Sequence, residues 1–434
     1  MPTQPPDIDA ILQQLVAASQ SHATGFMQSM PLRDADIAEI NRALLASPEQ
    51  CRKLADLQQT YLKQWISILR NDGEHPVPDS GDRRFSSPEW TDIAWFNVMR
   101  SLYLLNSRYI DAIAAVPGVA PETRRRLQFF SRQFIDAMSP TNNPVTNPQS
   151  IVRAIRSGGE SLARGAKAFA DDLARGHISM TDESAFKPGR NIAVTPGEVI
   201  FENELIQLLQ YRAQTEQVSE RPLLIVPPFI NKYYILDLRP ENSFVRYCVE
   251  QGVTTFMISW RNVSESLGHL GWDDYMAMGV FEAIDAARNI SGTDSLNALG
   301  YCVGGTLLAS ALAVKEARSE RPVHSLSLLA SMLDFSDVGE IRSYVDEAYV
   351  RQCEHDFSAG GVVAGSQLTN AFASLRANEL VWHFVVNNYL LGKPPPAFDL
   401  LYWNTDSTNL PGPLYAYYLR NMYLENRLRI PGSL

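Results

Sequence analysis

Leu296-Asn297-Ala298-Leu299-Gly300-Tyr301-Cys302-Val303-Gly304-Gly305-Thr306-Leu307-Leu308 is the stretch that decides the fold. Its first four residues form an apolar run of strand length. From Gly305 onward, Leu307, Leu308, Ala311 and Leu312 share one face of a helix. Between the two lies Gly-Tyr-Cys-Val-Gly, the G-x-S-x-G nucleophile elbow with Cys in place of Ser. Gly300 and Gly304 let the strand and helix backbones pass close together. The sulfur is placed at the positive end of a helix, which is expected to favour thiolate. The N–H of Val303 then points at a developing oxyanion. Cys302 is therefore the candidate nucleophile and Val303 a candidate oxyanion donor. The bland alternative is a small buried Cys in a Gly-rich turn, and the strand before and helix after weigh against it. Cys51, Cys248 and Cys353 lack this context and read as ordinary core or surface residues.

Ser295 to Val314 carries no charge, the length of a membrane span. Ser295, Asn297, Thr306, Ser310 and the Gly pair favour a buried strand, turn and helix, so no transmembrane segment is expected. Upstream, Leu223 to Val226, Val253 to Ile258 and, downstream, Val323 to Leu329 are further strand-length runs. Helical stretches Asn242 to Gln251, Trp272 to Ile290 and Gly305 to Arg318 separate them. This alternation implies right-handed βαβ units and a mostly parallel sheet. Trp272, Tyr275, Met276 and Phe281 read as one core face of a helix. Leu223 to Val226 runs into Pro227-Pro228-Phe229-Ile230-Asn231-Lys232. The prolines cannot donate, so Phe229 and Ile230 carry the first available N–H groups. Ile230 is taken as the second oxyanion candidate, against a purely structural Pro-Pro strand exit.

Asn191 to Val194 and Val199 to Phe201 flank Pro196-Gly197 and predict a hairpin. The chain before about residue 185 reads as helical. Ser47-Pro48-Glu49-Gln50 is a capping box, followed by apolar Leu54, Leu57, Tyr61, Trp65 and Leu69. Pro88 and Pro121 predict helices over 89–115 and 121–138, with a breaker at 139–144 and a further helix over 148–175 ending at Gly176. From 335 to 430 the alternation is lost, which predicts helices and loops inserted over the sheet's edge.

A length of 434 residues predicts two to three domains at about 150 residues each. The chain is 45% hydrophobic and 20% charged, which excludes wholesale disorder, collagen and a disulfide scaffold. With 38 basic and 48 acidic residues its net charge is −10, a poor match to nucleic acid or an anionic membrane. Four dispersed cysteines exclude a zinc ribbon and fit free thiols in a reducing cytoplasm. Met1 to Asp9 lacks the basic and apolar regions of a signal peptide.

The elbow with its surroundings resembles the class I polyhydroxyalkanoate (poly-3-hydroxybutyrate) synthases. Gly300-Tyr301-Cys302-Val303-Gly304-Gly305 is similar to that family's lipase-like box, and Val226 through Leu238 to its strand-exit motif. Ser259-Trp260-Arg261-Asn262, Trp272-Asp273-Asp274-Tyr275, Leu333-Asp334-Phe335 and Asp399 through Asn404 match too. So do Asp82-Arg83-Arg84-Phe85 and Pro88-Glu89-Trp90. The resemblance implies an α/β-hydrolase core with a mostly parallel sheet, a helical N-terminal domain and a cap insertion. The expected division is 1–185 helical, 186–334 core with elbow, and 335–434 cap. It further implies an acyltransferase that polymerises 3-hydroxyacyl-CoA, releases coenzyme A and uses no cofactor. Expected partners are the growing polyester, the polyhydroxyalkanoate granule surface in the cytoplasm and a second copy of the chain. The Cys302-Val303-Gly304-Gly305 form implies short-chain monomers.

The family uses a Cys–His–Asp triad whose Asp and His lie beyond the cap. No residue here matches those two motifs. The expectation is a truncated chain whose last core strands are missing, with doubtful activity of its own. His324, His355, His383 and Asp334 are the residues that would have to substitute. His355, in Glu354-His355-Asp356, reads as exposed, and His383 as packed. Neither that cluster nor the Gly360 to Gly365 spacing, which lacks the P-loop Lys, predicts a metal or phosphate site. Two other functions stay open. One is a thiol α/β-hydrolase that passes the acyl group to water. The other is an inactive chain that binds granules or dimerises with an intact synthase.

Overall fold

The structure is a computed structural model describing residues 33–44, 48–70, 76–79, 82–115 and 118–433. Met1 to Asp9 and Ser47 of the capping box lie outside the described residues. Two compact units are present: Met1–Ala166 with Tyr389–Gly392, and Lys167–Asn388 with Lys393–Leu434.

The first unit is helical. Pro48 opens the helix Pro48–Arg70, Pro121 opens Pro121–Ala137, and Pro148 opens Pro148–Arg156. The last is capped by Asn147, whose side chain accepts from the Gln149 and Ser150 N–H groups. Two predicted helices are each broken in two. Ile93 is extended (φ −102°, ψ 113°) between Glu89–Asp92 and Ala94–Ala114. Gly158 and Gly159 both take positive φ and interrupt the run between Pro148–Arg156 and Glu160–Arg175, because consecutive left-handed residues cannot continue the hydrogen-bond ladder. The unit's interior holds a buried ion pair, Arg126 Nη2 to Asp36 Oδ1 at 2.8 Å.

The second unit is built on a six-stranded sheet of order β1-β2-β4-β3-β5-β6. The strands are β1 (Gly197–Glu202), β2 (Ile206–Tyr211), β3 (Leu223–Val226), β4 (Thr255–Trp260), β5 (Leu296–Tyr301) and β6 (Val323–Leu329). Pairings among β3 to β6 are parallel, whereas β1/β2 and β2/β4 are antiparallel. The predicted hairpin about Pro196-Gly197 does not form, because β1 pairs with the following strand β2 instead. Asn191 to Val194 stays outside the strands, and the β1–β2 turn falls at Asn203, whose Oδ1 accepts from the Leu205 and Ile206 N–H groups at 2.8 Å. The uncharged stretch 295–314 is β5 plus the helix Val303–Ala317. Among the described residues no helix is long and apolar enough to cross a membrane.

Two features of this sheet position the site. Val226 pairs with Gly300, so the carboxyl ends of β3 and β5 lie side by side at the sheet's centre. This places the Pro227-Pro228 loop beside the elbow. The segment after 335 does not cover β6, which remains an exposed edge strand. It packs instead on the helix that begins at Trp272: Phe335, Val350, Leu414, Leu419 and Met422 share one core with Trp272, Tyr275 and Phe229. That helix runs Trp272–Asp274, Tyr275–Phe281 and Glu282–Ser291, the middle part with π-type hydrogen bonding. Two short strands, β7 (Val362–Val363) and β8 (Leu410–Pro411), pair antiparallel within the insertion.

Candidate active site

Cys302 caps the helix Val303–Ala317 with φ 54° and ψ −132°, a backbone geometry that side-chain-bearing residues rarely adopt. Such strain persists only where the surroundings over-determine it. Here the Cys302 N–H donates to Leu329 O at 2.9 Å, and its carbonyl accepts from the Gly305 N–H at 2.9 Å. The glycines explain themselves in the packing. A Cβ on Gly304 would run into the carbonyls of Val226 and Pro227, and one on Gly300 into the Gly305 backbone. Gly304→Ala is therefore expected to lower stability by about 1–3 kcal/mol through forced backbone shifts, read as an earlier denaturant midpoint. An unchanged midpoint would mean that β3 and the helix do not meet this tightly.

Cys302 and Cys51 are the exposed cysteines, whereas Cys248 and Cys353 are buried. Accessibility of the sulfur does not make it a ready thiolate. The protein crowded around it pushes the Cys302 thiol up, and the Val303 N–H offsets this in part. Crowding around the sulfur thus opposes the expected bias toward thiolate. The crowding includes an aromatic wall. Tyr301, Tyr418 and Tyr423 are pushed up mainly by burial, and a charge on Cys302 raises each of them further. Among the described residues no histidine hydrogen-bonds Cys302. The alkylation rate of Cys302 by iodoacetamide should climb with pH and reach half its plateau above the ordinary thiol value of 9. A midpoint near neutrality would reveal a cation beside the sulfur that this geometry does not contain.

The loop after β3 is clamped from two sides. From the core, Trp260 Nε1 donates to Pro227 O at 3.0 Å, and Phe229 meets the rings of Trp260, Trp272 and Tyr275 edge-on. From the insertion, Trp403 Nε1 donates to Lys232 O at 2.7 Å, and the Tyr234 hydroxyl donates to Asp406 Oδ2 at 2.6 Å. The Asn409 N–H donates to Asn262 Oδ1 at 2.8 Å. Among the described residues Ile230, half-buried in this loop, finds no acceptor for its N–H. The Val303 N–H, at the first position of its helix, faces the Cys302 sulfur. The geometry thus brings Cys302, Val303 and the Pro-Pro loop to one end of the sheet. The anchors Asp406, Thr408 and Asn409 escape sequence reading. Their signal is a run of small polar residues, Asp406 to Asn409, directly after the helix Asp399–Thr405 and directly before apolar Leu410.

The remaining candidates lie elsewhere. Asp334 is exposed and accepts from Asn426 Nδ2 and the Ser336 N–H, bonds that hold its carboxyl below the usual range. His324 is exposed on β6 and His355 on the helix Glu347–Asp356. His383 is exposed as well, not packed, because neighbouring Phe384 takes the inward position. Glu354 is engaged by Arg420 at 2.7 and 2.8 Å rather than turned toward His355. Gly361 serves backbone contacts, donating to Gly268 O and accepting from the Gly412 N–H.

Comparison with known proteins agrees with this architecture. Residues 81–248 match the family model described as the N-terminus of poly-beta-hydroxybutyrate polymerase (PhaC). Residues 221–426 match the alpha/beta hydrolase fold. The poly(3-hydroxyalkanoate) polymerase subunit PhaC of Cupriavidus necator is 48% identical over 390 residues, covering 88% of this chain and 66% of that one. The poly(3-hydroxyalkanoate) polymerase subunit PhaC of Rhizobium meliloti is 39% identical, covering 90% of this chain and 66% of that one. The poly(3-hydroxyalkanoate) polymerase of Methylorubrum extorquens is 40% identical, covering 91% and 68% respectively. The chain thus spans about two thirds of the length of these curated relatives. With an elbow of this form on an α/β-hydrolase sheet, and this identity over most of its residues, the chain belongs to the poly(3-hydroxyalkanoate) polymerase family.

Proposed function

We propose that the chain carries the acyl-transfer machinery of a polyhydroxyalkanoate polymerase, with Cys302 as nucleophile. The observation that carries this reading is Cys302 itself, an exposed thiol on a positive-φ strand-to-helix turn, set beside a loop with a free backbone donor. The thiol proton goes to a general base, a role that no described histidine fills by hydrogen-bonding Cys302. The sulfur attacks the carbonyl of a 3-hydroxyacyl-CoA, the carbon–sulfur bond to coenzyme A breaks, and the leaving thiolate takes a proton. One thioester replaces another, so the acyl group stays activated. The next monomer's 3-hydroxyl, losing its proton to the base, attacks that group; an ester forms and Cys302 is released. The N–H groups of Val303 and Ile230 stabilise the oxyanion in both steps. Because burial holds the thiol up, removal of its proton is a required step.

Short 3-hydroxyacyl groups are the proposed monomers, on the form of the Cys302-Val303-Gly304-Gly305 box. The chain is proposed to act without a cofactor, as a homodimer at the granule surface. Residues 1–185 serve as the helical domain, 186–334 as the core and 335–434 as the cap. The test is coenzyme A release from 3-hydroxybutyryl-CoA by the purified chain, with the product separated into polyester and free acid. Polyester is expected. Free acid alone would identify a thiol hydrolase, and no release from folded protein would leave a binding role and overturn the enzymatic reading.

A further inference from the structure

One hydroxyl from the insertion grips the backbone around Ile230. Thr408 Oγ1 donates to Phe229 O at 2.9 Å and accepts from the Asn231 N–H at 2.8 Å. Phe229 O and the Ile230 N–H belong to the same peptide unit. That unit is planar and trans, so its C=O and N–H point in opposite directions. Holding the carbonyl from one side therefore aims the N–H to the other. The second bond fixes the following peptide, where Asn231 takes φ 67° and turns the chain. Thr408 and Phe229 are almost fully buried, at 1% and 2% exposed, so water is a poor substitute for either bond. The hydroxyl's one proton and one accepting lone pair are both used, and a bond into the carbonyl also strengthens the N–H as a donor. Thr408 is itself held, since Trp403, Asp406 and Asn409 tie its neighbours to the core.

We infer that Thr408 is the positioning residue of the oxyanion site, aiming the Ile230 N–H through the Phe229 carbonyl. The inference rests on the proposed roles of Cys302 and Ile230. It makes the insertion a working part of the acyl-transfer geometry, and it separates two reactions of the same sulfur. Acylation passes through a tetrahedral oxyanion, whereas alkylation by iodoacetamide displaces iodide and forms none.

The experiment compares both rates in the full 434-residue chain, in Thr408→Val and in Thr408→Ser, with Cys302→Ala as blank. 4-Nitrophenyl butyrate is the acyl donor: the thiolate takes the butyryl group and 4-nitrophenolate leaves. Losing one oxyanion donor outright lowers rates about 100- to 1,000-fold, so a misaimed one is expected to cost about 10- to 100-fold. Thr408→Val should show that loss in acylation with alkylation changed less than about twofold. Thr408→Ser should recover acylation to within about threefold. Equal acylation in the parent and Thr408→Val would overturn the inference and leave the functional reading standing. Equal losses in both reactions would also overturn it, by showing general disruption. A parent chain that is alkylated but never acylated at Cys302 would sink the functional reading and this inference together.

Discussion

Replacing Cys302 by Ala is expected to lower coenzyme A release from 3-hydroxybutyryl-CoA by about 10,000-fold or more while the fold persists. Losing a nucleophile of this kind leaves only what binding and oxyanion donors contribute. The substitution itself is sterically mild, since Ala fits wherever Cys does and the side chain is exposed. The backbone bonds of Cys302 to Leu329 and Gly305 do not involve the side chain and should survive. Cys302→Ser sharpens the point. A hydroxyl is far harder to deprotonate than a thiol in the same crowded site, and its ester is a poorer acyl donor than a thioester. The Ser variant should therefore release little coenzyme A and build no polymer. Steady-state assays with thermal unfolding as a fold control decide this. Release that persists in Cys302→Ala would assign the chemistry to another group.

Trp272→Ala is expected to lower stability by about 3–5 kcal/mol, the range for emptying a large aromatic from a packed core. Trp272 is 1% exposed. Its ring stacks with those of Tyr417 and Tyr418 at 5.8 and 5.6 Å with interplanar angles of 21° and 11°. Phe229 approaches edge-on at 6.2 Å. Removing the indole would thus loosen the start of the helix, the insertion and the Pro-Pro loop together. At about 2–4 °C per kcal/mol the melting temperature should fall by roughly 6–20 °C. Trp272→Phe is a revealing companion. The indole N–H is buried without a partner among the described residues, so Phe removes an unsatisfied donor while keeping a ring. Its loss should be less than half that of Ala. Similar losses for both would mean that the indole's full width, not its aromatic stacking, holds the three parts.

The elbow was legible because the elements that form it are local. β5, the turn and the helix are contiguous in sequence, and Gly300 and Gly304 advertise the close approach that their packing requires. The Pro121 and Pro148 helix starts were legible for the same reason. β2 was harder: Ile206-Gln207-Leu208-Leu209-Gln210-Tyr211 has no strict alternation, and its pairing with distant β4 is what makes it a strand. The thiol's upward shift could not be read at all. Part of the wall that crowds Cys302 comes from Tyr418 and Tyr423, more than a hundred positions later, and nothing in the elbow announces them. The same holds for Thr408, whose partners are set by tertiary packing and leave no periodic trace.

These clamps also carry a timetable. The bond from Thr408 to Phe229 spans 179 positions, and that from Asn231 to Thr408 spans 177. On a ribosome adding about 5–20 residues each second, roughly 9–35 s separate the emergence of the two ends. During that interval the elbow, whose backbone bonds reach no further than Leu329, can already be shaped. The loop after β3 is by then held only from the core side, by Trp260, Trp272 and Tyr275. A nascent chain therefore shapes the turn around Cys302 before the loop beside it is fully fixed, and completes this end of the sheet only when the Asp406-to-Asn409 run arrives and docks.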